Sequence, residues 1–184
     1  MIIYFHGEKH SYVLTFDIEF DMNNLVQFAG ILFKNLGDGK YFTYRTLNAY
    51  VKCSPSYQFQ RYTGLTTNFL QNYGVTLKDL VQQVEDDLLK DVDKTELLVV
   101  SHGLRNDRKV LLENFINLNY DSVTINPIDG YCTFNNARRI LGRKNNLKLE
   151  DVAREACIYP DNSHNAFADS WITAGVFSFL KALE

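Results

Sequence analysis

From Tyr12 to Phe20 the chain alternates: Leu14, Phe16, Ile18 and Phe20 fall on one side, Thr15, Asp17 and Glu19 on the other. A period of two is the signature of a β-strand with an apolar face. Leu25 to Lys34 and Tyr41 to Val51 are two more β-like runs, and Gly37-Asp38-Gly39 between them is a hairpin signal. The chain therefore opens with a three-stranded antiparallel meander. The period then changes. Thr76-x-x-Asp79 reads as a capping box, and Leu77, Leu80, Val81, Val84 and Leu88 follow at helical spacing.

Glu96 to Ser101 is a short, almost wholly apolar run of the kind buried on both faces of a sheet. Arg105 to Leu118 reads as a helix and Ser122 to Ile128 as a fifth strand. Helices are expected over Asn135 to Leu141, Leu149 to Ala156 and Asn165 to Leu183. The last carries an apolar stripe through Ala168, Ile172, Gly175, Val176, Phe179 and Leu183. The expectation is an α/β fold: a mixed five-stranded sheet, three antiparallel strands then two parallel, flanked by helices.

At 184 residues the chain has the length of one domain. With 46% hydrophobic and 22% charged residues it has a globular composition, and no apolar run approaches the ~20 residues that span a bilayer. The start, Met1 to Gly7, is too short before its first charges for a signal peptide, so a cytoplasmic location and no membrane partner are expected. Residues 1–10 read as an N-terminal extension of a single domain covering 1–184. Cys53, Cys132 and Cys157 have no finger-like spacing and read as buried reduced thiols rather than a zinc site. The formal charge of −3 excludes coating of nucleic acid by bulk electrostatics, but not an enzyme that grips a few terminal nucleotides.

Asp17 and Glu19, at i and i+2 of a strand, emerge on the same face and repel. A divalent cation with oxygen ligands relieves that repulsion, but the pair alone reads more simply as the solvated polar face of an edge strand. Asp107 follows the buried strand, and if that strand lies beside the first it can face Asp17. Asp169 lies one turn into the last helix, and His164 just before that helix can place an imidazole near the cluster. Such a group suits two metals about 3.5–4 Å apart that clamp the attacking and leaving oxygens of a phosphodiester. A neutral imidazole can take the proton from the attacking water.

Here the chain resembles the DEDDh (DnaQ-like) 3′→5′ exonucleases, which have an RNase H-like fold. Phe16-Asp17-Ile18-Glu19 is similar to the first family motif, Val100-Ser101-His102 through Asp107 to the second, and His164-Asn165-Ala166-Phe167-Ala168-Asp169 to the third. Between them, Leu25 to Gly30, Tyr62-Thr63-Gly64-Leu65-Thr66 and Ile128-Asp129-Gly130 with Ala137-Arg138-Arg139 also resemble family segments, in order, over roughly residues 12–182. The resemblance implies that Asp17, Glu19, Asp107 and Asp169 hold two divalent ions, Mg²⁺ or Mn²⁺, and that His164 is the general base. It implies that Thr63, Gly64 and Leu65 pack on the terminal nucleotide, with backbone near Ile18 and Phe20 touching the 3′ sugar. His102 either lines the cleft or fixes its own turn by a hydrogen bond.

The implied activity is hydrolysis from the 3′ end of a nucleic acid, single-stranded DNA favoured over RNA, with release of nucleoside 5′-monophosphates. An exoribonuclease or oligoribonuclease is the alternative, and a non-catalytic nucleic-acid-binding module the alternative from another class. A homodimer, or a place in a larger replication, repair or DNA-processing assembly, is compatible with either. The chain departs from the family at Phe20-Asp21-Met22, where T-T-G is usual, and at Gly103 and Asn106, where Asn and Phe are usual. These departures bear on substrate preference, since none removes a ligand.

Overall fold

The computed structural model describes residues 1–118, 129–143, 147–159 and 165–184. Its sheet is built from β1 (Ile2–Tyr4), β2 (Tyr12–Asp21), β3 (Asn24–Gly37), β4 (Lys40–Tyr50), β5 (Leu97–Ser101) and β6 (Gly130–Cys132). The helices are α1 (Tyr57–Thr63), α2 (Thr67–Tyr73), α3 (Leu77–Gln83), α4 (Leu104–Phe115), α5 (Thr133–Ile140), α6 (Leu149–Glu155) and α7 (Ala166–Leu183).

Strand order is β1-β4-β3-β2-β5-β6. The β2–β3–β4 meander is antiparallel, β5 runs parallel to β2, and β6 parallel to β5. The β3–β4 turn forms as its sequence demands. Asp38 and Gly39 both adopt positive φ, 53° and 72°, as a two-residue hairpin turn matched to strand twist requires. The sheet has six strands rather than the expected five because Ile2–Tyr4 pairs antiparallel with β4. That edge is held from behind by Phe5, fully buried against the rings of Phe33, Tyr41 and Phe177. Three residues carry too short a pattern to be read as a strand; the buried aromatic beside them fixes it. The expected strand Ser122–Ile128 lies outside the described residues.

Each face of the sheet has its own core. Leu14, Phe16 and Ile18 point to one, closed by Leu80 and Val81 of α3 and Leu104, Val110, Leu111 and Phe115 of α4. Thr76 and Asp79 cap α3 reciprocally, as its sequence predicts. Val13, Ile31 and Phe33 point to the other core, where Ala174 and Phe177 of α7 pack. The expected single stripe on α7 gives way to burial on two sides. Ile172, Val176 and Leu180 form a third cluster with Ala137 of α5 and Val152 and Ala153 of α6, while Leu183 is exposed. A helix wedged between a sheet and other helices needs apolar residues nearly all round. No described helix is long and apolar enough to cross a membrane.

Candidate active site

Along the α7-facing side of β2 the side chains change from Val13 through the buried Thr15 to Asp17 and Glu19. The apolar contacts thus end where the carboxylates begin, at the C-terminal end of β2. There the antiparallel partners are Ala29 for Asp17 and Gln27 for Glu19, and a register shift follows between Glu19 and Phe20. Such an irregularity re-aims a strand end.

The first turn of α7 comes down on this point. Asn165 caps it by accepting from the N–H groups of Phe167 and Ala168, and the Ala166 N–H donates to the buried Gln27 side chain. The Ser170 hydroxyl shares its one proton between the Ala166 carbonyl of its own helix at 2.7 Å and, at 3.1 Å, the carbonyl of Ala29, the residue opposite Asp17. These contacts bring Asp169 beside the strand carboxylates. One oxygen from each of Asp17, Glu19 and Asp169 lies within 4.8 Å of the others.

Asp107, in the first turn of α4, stands near this group without joining the three oxygens that meet within 4.8 Å. It is buried, accepts a hydrogen bond from the Ser101 hydroxyl, and its carboxylate lies beside Gly103, where a Cβ would meet it at 3.5 Å. Burial pushes the Asp17 carboxyl well above its ordinary value, and the charges of Asp107, Asp169 and Glu19 add to the rise. Glu19 is pushed up to about 7, by burial first and then by Asp169 and Asp107. Asp107 is raised by burial, with Ser101 and the Gly103 backbone opposing. Four carboxylates so placed cannot all ionise without a cation, and an all-oxygen donor set suits a hard divalent ion. The third motif's His164 lies outside the described residues.

His102 uses both ring nitrogens within the fold, Nδ1 with the Thr133 hydroxyl and Nε2 with the Leu147 carbonyl, each at 2.9 Å. Both bonds run to other segments of the chain rather than within its own turn. Thr63, Gly64 and Leu65 form the turn between α1 and α2. Gly64 sits at φ 78° as the C-cap of α1, and the Thr63 hydroxyl accepts from the Leu65 N–H. Ile18 is buried in the core, while Phe20 is partly exposed at the strand end.

Sequence reasoning missed α1 and α2, and with them the support of this turn. Their signals are short, Ser56 and Thr66 as N-caps and Gly64 as a C-cap. It missed Gln27 and Ser170 as anchors of α7, since nothing local distinguishes them. Asp21, Asp129 and Glu113 lie apart from the carboxylate group: Asp21 holds Ser56, Glu113 faces Lys109 at 3.7 Å, and Asp129 is exposed 3.7 Å from His10. Arg139 and Arg143 pair with Glu184 and Glu155. The three cysteines are free, but only Cys53 and Cys132 are even partly buried; Cys157 is exposed, contrary to expectation, in a turn where it adopts φ 57°.

No protein-family model matches the chain, and no curated protein matches it significantly. Solved structures do. Escherichia coli exonuclease I in complex with a dA16 oligonucleotide matches with TM-score 0.74 at 18% identity, over 95% of this chain and 41% of that one. The nuclease domain of 3′hExo, a DEDDh family member bound to rAMP, matches with TM-score 0.71 at 15% identity, over 94% and 92%. A 3′-exonuclease in 3′-end-specific recognition of a histone mRNA stem-loop matches with TM-score 0.72 at 14% identity, over 94% and 82%. The chain spans about two fifths of exonuclease I, 41% in the first of these matches. These likenesses show the fold: a mixed α/β sheet shared with exonuclease I and with the nuclease domain of 3′hExo.

Proposed function

We propose that this chain is a metal-dependent 3′→5′ exonuclease that acts on the 3′ end of nucleic acid, favours single-stranded DNA and releases nucleoside 5′-monophosphates. The observation that carries the reading is the convergence of Asp17, Glu19 and Asp169 oxygens within 4.8 Å, on a fold shared with such enzymes. Asp17, Glu19, Asp107 and Asp169 hold two Mg²⁺ or Mn²⁺ ions. When bound, such ions would offset the phosphodiester charge and lower the pKa of the attacking water. His164 takes the proton from that water as general base. Thr63, Gly64 and Leu65 pack on the terminal nucleotide, and the strand end at Ile18 and Phe20 lies along its sugar. His102, engaged with Thr133 and Leu147, anchors the β5–α4 connection ahead of Asp107 instead of touching substrate.

An exoribonuclease is the second reading, because the neighbours divide: one holds dA16, another rAMP. The test uses 5′-labelled single-stranded DNA and RNA of one sequence, with Mg²⁺, Mn²⁺ or EDTA, and Asp17→Ala alongside. Metal-dependent shortening from the 3′ end, lost in Asp17→Ala, supports the proposal, and the faster polymer names the substrate. Metal-independent binding without digestion of either polymer would favour a non-catalytic binding module. Sedimentation of the same sample separates a monomer from a homodimer.

A further inference from the structure

Asp21 closes β2 two residues beyond Glu19, and its carboxylate is occupied. Its Oδ2 accepts from the Ser56 backbone N–H at 2.6 Å and its Oδ1 from the Ser56 hydroxyl at 3.1 Å. Ser56 is the N-cap of α1, its Oγ also accepting from the Phe59 N–H. One carboxylate therefore joins the end of β2, two residues beyond Glu19, to the start of the helix whose other end is the Thr63-Gly64-Leu65 turn.

Three further observations show this to be a fixed strut. Met22, next in the chain, adopts φ 58°, so the backbone leaves β2 in a sharp turn. Asn114 of α4 ties that turn down, its Oδ1 accepting from the Leu25 N–H at 3.1 Å and its Nδ2 donating to the Asn23 carbonyl at 2.7 Å. Asp21 and Ser56, with Gln58, Phe59 and Tyr62, line a cleft of about 360 Å³ along α1. No residue of α1 is itself buried, so packing alone does not fix its position.

We propose that Asp21 is a positioning residue: by clamping Ser56 it sets α1, and with it the Thr63-Gly64-Leu65 turn, at a fixed distance from Asp17 and Glu19. This rests on the exonuclease reading, in which that turn receives the terminal nucleotide. Charge-assisted hydrogen bonds to backbone are the strong kind, and two on one carboxylate also fix direction. The other side-chain ties of α1 run through Gln60, to the Pro55 carbonyl at its start and to Thr67 beyond its end.

The test compares Asp21→Ala and Asp21→Asn with the wild type in steady-state kinetics on a single-stranded oligonucleotide, and in amide hydrogen exchange over 57–65. Asn keeps an oxygen for the Ser56 N–H and an amide for its hydroxyl. Expected is a KM raised roughly tenfold in Asp21→Ala with kcat within about twofold, recovered in Asp21→Asn. Amide exchange of α1 should be faster in Asp21→Ala alone. A global loss of folded protein would instead lower kcat at constant KM, and that pattern overturns the positioning role. So would unchanged exchange and unchanged kinetics in Asp21→Ala. If the wild type shows no nuclease activity, the exonuclease reading fails and this role falls with it. Exchange in the same variants then reports the clamp separately.

Discussion

The Gln27 side chain accepts a hydrogen bond at 3.3 Å from the backbone N–H of Ala166, 139 residues away. Its amide nitrogen donates to Asn48 of β4 at 2.8 Å, so Gln27 cannot swing free. Gln27 stands opposite Glu19 in the β2–β3 ladder, and Ala166 opens the helix that carries Asp169. One buried amide thus sets the spacing of carboxylates from the two ends of the chain. Gln27→Ala is expected to cost about 1–3 kcal/mol by leaving buried polar groups unpaired. Denaturant unfolding measures that, and titration calorimetry should show weaker Mn²⁺ binding with the four carboxylates intact.

Removing one charge from the cluster should stabilise the metal-free protein. Asp17→Asn keeps the shape and removes the cost of burying this carboxyl, with the repulsion from Asp107, Asp169 and Glu19 adding to it. The expected gain is about 0.5–2 kcal/mol, with activity lost, the usual exchange at a site built for function. Thermal unfolding in EDTA checks it. A variant that melts below the wild type would contradict a net cost of burying this carboxyl among its neighbours.

The carboxylates also set a pH dependence. Glu19 is raised from 4.5 to about 7 in the folded state, so between those values the folded protein holds a proton that the unfolded chain has lost. Stability of the metal-free protein should therefore fall as pH rises from about 4.5 to about 7, Asp17 and Asp107 acting in the same direction. Mg²⁺ should reverse the trend, because binding expels those protons and strengthens as pH rises. Melting curves from pH 5 to pH 8, with EDTA or Mg²⁺, read both effects; parallel curves would contradict the account.

His102 has the opposite sign. Burial lowers its folded value below the ordinary 6.5, so the unfolded chain gains a proton there first. Its contribution is full above 6.5 and lost as pH falls below it. His102→Gln is expected to cost about 1–3 kcal/mol at pH 7.5 through the lost bridge between Thr133 and Leu147, and to flatten the decline on the acid side. Chemical unfolding at pH 7.5 and at pH 5.5 measures both. Because α5 and the approach to α6 hang on this ring, part of the loss will appear as faster exchange over 133–140.

By itself the sequence determined most of the longer elements. The alternation around Asp17, the Asp38-Gly39 turn, the Thr76 box and the apolar run at Leu97 to Ser101 are local patterns, each with one low-energy backbone solution. It also put Asp17 and Glu19 on one face, because a strand repeats every two residues. It did not determine what that face meets. Short elements escaped it as well: β1 depends on Phe5 reaching a pocket formed by β3, β4 and α7, and α1 on a carboxylate from β2. The meeting of Asp169 with Asp17 was decided only in the tertiary structure, by Gln27 and Ser170 gripping α7 at one height on β3. A hydrogen bond between distant residues leaves no period in the sequence. The fold supplies the closeness that turns separate acids into one site.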